Sequence, residues 1–133
     1  MKALLLDTHA AVWHLRDPAR LSSEARDRIR ASVVEGSPLF VSIISLIELV
    51  YLVEKGRVPG GALKELKSGM EDPLAAIQVL PIDSTLLEAV ERIPRNAVPD
   101  MPDRIIAATA LQRGLALVTR DRRLQESGIE TVW

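Results

Sequence analysis

The sequence predicts an α/β fold, a parallel sheet covered on both faces by helices. Short aliphatic runs alternate with stretches of helical spacing, and the connections between them are brief, which is the pattern of strand-helix-strand units. Aromatic residues make up only 3% of the chain while hydrophobic residues make up 47%. A core so poor in rings is built from Leu, Ile, Val and Ala, which suits helices packed on a sheet better than an aromatic-rich sandwich. At 133 residues the chain is long enough to bury a core and short enough to form one domain, taken as 1–133.

Residues 2–6 read as a buried strand. The THAAVWHL that follows has helical spacing, with Ala10, Trp13 and His14 on one side, and Asp17 and Pro18 end it. Ser22 or Ser23 caps a second helix, 23–35, which carries Glu24 early and closes on Gly36. Residues 39–41 form a strand, and Ser42 is placed to cap a helix over 43–55 that Gly56 stops. Gly60 and Gly61 lead into a short helix, 62–70. Residues 77–81 are a strand, and Asp83 or Ser84 caps a helix ending near Arg92. Pro94 and Pro99 mark an irregular loop before the helix 103–113, which Gly114 ends. A strand over 115–119, a short helix over 121–126 and an edge strand over 129–133 complete the chain.

The formal net charge is −1, from 17 basic and 18 acidic residues, so the global positive field of many nucleic-acid binders is excluded. Any such binding has to be local. The absence of cysteine excludes disulfides and thiolate metal sites and suits a reducing compartment. Only Ala3 to Leu6 are apolar before Asp7, too few for a signal-peptide core. The longest apolar stretch, 39–53, is interrupted by Ser42, Ser45 and Glu48, so no membrane span is expected and the chain reads as soluble and cytoplasmic.

Ligands of an open parallel sheet bind beyond the carboxyl ends of its strands, where loops and helix N-termini collect. Asp7 follows the first strand, Asp121 comes just after the 115–119 strand, and Asp103 starts the helix that feeds that strand. Glu48, the only charged residue between Leu39 and Val53, is carried by its helix under the same rim. Three of these acids have ordinary explanations: Asp7 and Asp121 can cap the helices after them, and Asp103 suits a helix dipole. Asp100, beside Pro102, is explained as a turn residue, and Asp83 as a cap. Glu48 has no such explanation, and a lone carboxylate in apolar surroundings costs several kcal/mol unless paired. Carboxylates brought together repel by roughly 4 kcal/mol per pair at about 4 Å and an effective dielectric near 20, and a divalent cation reverses that sign. Oxygen ligands without Cys or paired His point to Mg²⁺, or Mn²⁺, over Zn²⁺.

His9 and His14 are five apart, off the spacing that puts two imidazoles on one helix face, and read as structural. Trp13 reads as core or partner surface, not as a base-stacking platform. The arginines at 16, 20, 26, 28 and 30 alternate with acids and read as solvated surface. Arg104, beside Asp103, and Arg120, Arg122 and Arg123, around Asp121, place cations at the edge of the expected site. The helix IISLIELVYLVEK is apolar nearly all round, so it is either fully buried or shares one face with another chain.

In order along the chain, LLLDTHAAVWHL, LSSEARDRI, VSIISLIEL, EKGRV, PDMPDRIIAATAL, LALVTRD and ETVW resemble the PIN-domain ribonucleases, specifically the VapC-type toxins of type II toxin-antitoxin pairs. The resemblance implies a PIN-like three-layer α/β/α sandwich whose central parallel sheet has about five strands. It implies a Mg²⁺-dependent endoribonuclease, with Asp7, Glu48, Asp103 and Asp121 as catalytic and metal-holding acids. Asp100 and Thr119 would be polar neighbours, and Arg104, Arg120, Arg122 and Arg123 would contact phosphates. A VapB-type antitoxin, an RNA substrate and a homodimer are the implied partners. Two alternatives are a catalytically silent relative that binds a partner or RNA, and a Mg²⁺-binding phosphoacceptor domain. The second normally carries a lysine after its last strands, and this chain has none after Lys67.

Overall fold

In the computed structural model, which describes residues 1–133, five strands form one all-parallel sheet in the order β3-β2-β1-β4-β5. They are β1 (Leu4–Leu6), β2 (Leu39–Ser42), β3 (Ile77–Leu80), β4 (Ala116–Val118) and β5 (Thr131–Val132). Seven helices flank it: α1 (Thr8–Arg16), α2 (Ser23–Val34), α3 (Ile43–Glu54), α4 (Gly61–Gly69), α5 (Leu86–Arg92), α6 (Met101–Arg113) and α7 (Arg122–Gln125). The three-layer α/β/α arrangement expected from the sequence is the one observed.

Central β1 pairs with β2 on one side and β4 on the other, with Leu4 opposite both Leu39 and Ala116. Its three leucines alternate between faces, as a strand requires. Leu4 and Leu6 join a cluster with residues of α1, α2 and α4, while Leu5 joins a second with α5 and α6. Helix α3 feeds both clusters, giving Leu46 and Leu49 to the first and Ile44 to the second. Its remaining face is open: Ile47, Val50 and Tyr51 are 46%, 40% and 60% exposed. The helix is therefore not fully buried.

Several boundaries differ from the sequence expectation. β1, β4 and β5 are shorter, because the chain leaves the sheet almost at once to enter helices or turns. Helix α6 starts at Met101, since Pro102 sits in the first turn, where its missing N–H costs nothing and its fixed φ suits the helix. A 3-10 turn at Pro18–Arg20, not anticipated, follows α1. Asp83 accepts from the N–H and hydroxyl of Thr85, ordering the approach to α5. No helix is long and apolar enough to cross a membrane.

Candidate active site

Parallel strands bring their carboxyl ends to a single edge, and the acids gather there. The Asp7 N–H donates to the Val118 carbonyl at 3.1 Å, so Asp7 leaves β1 beside Thr119 leaving β4. Oδ1 of Asp7 then accepts from the Ala10 N–H at 2.9 Å and caps α1. Asp121 caps α7 in the same way, accepting from the N–H groups of Arg123 and Leu124 at 2.9 and 3.2 Å. Asp100 caps α6 through the Asp103 N–H at 3.0 Å. Capping and membership of a site are thus compatible, since each cap is made by a single carboxylate oxygen, Oδ1.

Asp103 lies in the first turn of α6, and Glu48 lies midway along α3. The partner of Glu48 is a hydroxyl: Thr8 Oγ1 donates to its Oε1 at 2.5 Å, with Ser45 Oγ 2.9 Å from the same Thr8 oxygen. Asp7, Glu48, Asp100, Asp103 and Asp121 all line one cavity of about 340 Å³, together with Thr8, His9, Trp13 and Arg120. Trp13 is its only apolar wall. Thr119 is fully buried, its hydroxyl accepts from the Asp121 N–H at 3.0 Å, and it lies near enough to the Asp7 carboxylate to favour its charged form.

The crowding is visible in the acidities. Burial, then the charges of Asp100, Asp121, Glu48 and Asp7, push the Asp103 carboxyl up to about 7. Burial raises Asp7 against the lowering effect of the Thr119 hydroxyl and the bond from Ala10. Burial also raises Glu48, against the lowering effect of the Thr8 hydroxyl and with repulsion from Asp100 and Asp7 added. The acids ring the cavity without closing on one point, and no three of them stand in a metal-holding arrangement. The donor set nonetheless fits a hard divalent ion: it is all oxygen, without sulfur, and three of its acids resist ionisation where they stand.

Four features differ from the sequence reading. His9, read as structural, is exposed and lines the cavity. Its signal was its position two residues past Asp7, on the first turn of a helix that starts at the rim. Asp100 does more than shape a turn, being both cap and lining residue. Thr8, for which the sequence suggested no site role, is the partner of Glu48. Among the arginines, only Arg120 lines the cavity; Arg104 Nε donates to the Ile93 carbonyl at 2.9 Å, and exposed Arg122 and Arg123 lie on α7 outside the lining.

A family model of the PIN domain matches residues 4–129. The chain is also 32% identical over 125 residues to Ribonuclease VapC22 of Mycobacterium tuberculosis, covering 94% of this chain and 92% of that one. The chain is a PIN-domain protein of the VapC ribonuclease family. Ribonucleases of this family are generally metal-dependent. Among solved structures, this VapC-family chain superposes on DNA-bound VapBC from Salmonella typhimurium with a TM-score of 0.70, 24% identity and coverage of 98% and 97% of the two chains. It superposes on FitAcB from Neisseria gonorrhoeae with a TM-score of 0.63, 22% identity and coverage of 96% and 95%. Those likenesses establish the fold.

Proposed function

We propose that this VapC-family protein is a Mg²⁺-dependent endoribonuclease toxin, with Mn²⁺ able to replace Mg²⁺. The observation that carries the proposal is the gathering of Asp7, Glu48, Asp103 and Asp121 around one cavity at the carboxyl edge of the sheet, in a chain of this family. When bound, the ion would make water nucleophilic near neutral pH and take up charge on the phosphoryl oxygens. Asp7, Glu48 and Asp103 would hold the ion by drawing in from the open ring in which they stand, and Asp121 would orient the water around it. Thr8 fixes the Glu48 carboxylate, and the Thr119 hydroxyl favours the charged form of Asp7. Asp100 keeps the first turn of α6 closed, so that Asp103 faces the cavity. In-line attack on a phosphodiester leaves a 5′-phosphate and a 3′-hydroxyl.

The same reading gives the chain a VapB-type antitoxin that presents a basic side chain to the acids. The open apolar face of α3 supports contact with that partner or with a second copy of the chain. Purified protein should cut RNA with Mg²⁺ and stop with EDTA. Asp7→Asn and Glu48→Gln should each remove the activity while leaving a cooperative melting transition. Wild-type protein that leaves RNA intact in Mg²⁺ would overturn the reading, and a fully active Glu48→Gln variant would remove Glu48 from the metal set.

A further inference from the structure

Arg120 is the one arginine or lysine lining the acid cavity, yet the acids do not pair with it. No carboxylate lies within ion-pair distance of its guanidinium, although Asp121 is its neighbour in the chain. What holds it is a ring: the guanidinium carbon stands 4.9 Å from the centroid of Trp13. Arg20 occupies a second position 5.2 Å from that centroid, and His9 and Trp133 pack against the ring at 5.7 and 5.9 Å. Trp13 is only 7% exposed and belongs to the sheet core, so it is a fixed surface and not a free platform for a base.

The choice of partner matters chemically. Arginine paired with a carboxylate commits donors in a bidentate fork and loses its net charge locally. Arginine stacked on an aromatic face keeps both its charge and its in-plane N–H donors. Five acids around one cavity repel an RNA backbone, and a cation that stays uncommitted among them offsets this repulsion at the point of entry.

We infer that Trp13 is a positioning residue that keeps Arg120 off the acids and presents its free edge to a backbone phosphate of the RNA strand. The inference rests on the ribonuclease reading and adds to it the residue pair that grips the strand. Arg120 supplies the charge and donors, and Trp13 acts only through Arg120.

The test is RNA affinity without metal or cleavage: a short fluorescein-labelled RNA titrated by anisotropy into Asp7→Asn protein in EDTA, over a salt series. Adding Arg120→Ala should weaken binding about tenfold and lower the salt slope by about one phosphate contact. Adding Trp13→Leu should weaken it similarly, and combining both should weaken it no further than Arg120→Ala alone. Trp13→Phe keeps a ring face and should retain most of the affinity. In a Trp133→Phe background Trp13 is the sole tryptophan. Its emission should shift on RNA addition, and Arg120→Ala should abolish that shift, so the result stands even if Trp13→Leu does not fold. In Mg²⁺, Arg120→Ala should raise KM far more than it lowers kcat. Unchanged affinity and salt slope in Arg120→Ala, or losses from the two sites that simply multiply, would overturn the inference while wild-type cleavage leaves the ribonuclease reading intact. Failure of wild type to cut would instead remove that reading.

Discussion

Strand β1 and the rim on which it ends are one residue apart and follow opposite rules. Leu4, Leu5 and Leu6 are fully buried, and apolar neighbours surround them on both faces of the sheet. At Asp7 the burial continues, but the buried group is now a carboxylate, with four more acids around the same cavity. In the strand, burial lowers the free energy of the fold; at the rim it raises the pKa of Asp7, Glu48 and Asp103 and opposes folding. The contrast separates residues that build the molecule from those the molecule supports.

The contrast is sharpest at its boundary. Asp7→Asn should cost at least about a thousandfold in RNA cleavage, equivalent to about 4 kcal/mol of transition-state stabilisation, with little change in melting temperature. A variant that melts far below wild type would mean that the rim is structural after all. Leu5→Ala should do the reverse, losing about 3 kcal/mol of stability by denaturant titration, because it opens a cavity in a packed strand. A loss much under 1 kcal/mol would show that the second cluster repacks freely.

A smaller effect, with opposite sign, is expected at Asp103. Its pKa of about 7 lies above the ordinary 3.8, so the folded state binds a proton that the unfolded chain has released between those values. Stability of the metal-free protein should therefore rise as pH falls through 7 toward 4 and be lowest above 7. Asp103→Asn should flatten that profile and raise the metal-free melting temperature by a few degrees near neutral pH, about 1 kcal/mol with solvent screening of a partly exposed group. Mg²⁺ should raise the wild-type melting temperature at pH 8 more than it raises that of Asp103→Asn, and equal shifts would remove Asp103 from the ion's surroundings. The smallest effect belongs to the surface: Lys2 and Glu130 stand 3.6 Å apart with both side chains about half exposed, and Lys2→Ala should change stability by no more than about 0.5 kcal/mol.

Much of this division was legible in the sequence, because it depends on patterns along the chain. The order of strands and helices follows from periodicity, and Glu48 is marked by being charged where nothing around it is. The early start of α6 follows from Asp100 and Pro102 acting together as cap and first-turn residue, two roles that the residues suggest only singly. The Thr8 bond to Glu48 spans forty residues and depends on how α1 packs on α3, which no local pattern contains. The stacking of Arg120 on Trp13 joins residues from β1's helix and β4's loop, and it chooses one arginine among four that look equivalent by their neighbours.

The three aspartate caps have a further consequence. Asparagine closes a helix N-terminus about as well as aspartate does, so exchange at 7 or 121, the two caps assigned to the ion or its water, keeps the acceptor while deleting the charge. Each exchange is a single-nucleotide change. The architecture therefore lets a lineage disarm its enzyme in one genetic step and keep a correctly shaped decoy, still able to occupy whatever neutralises the active form.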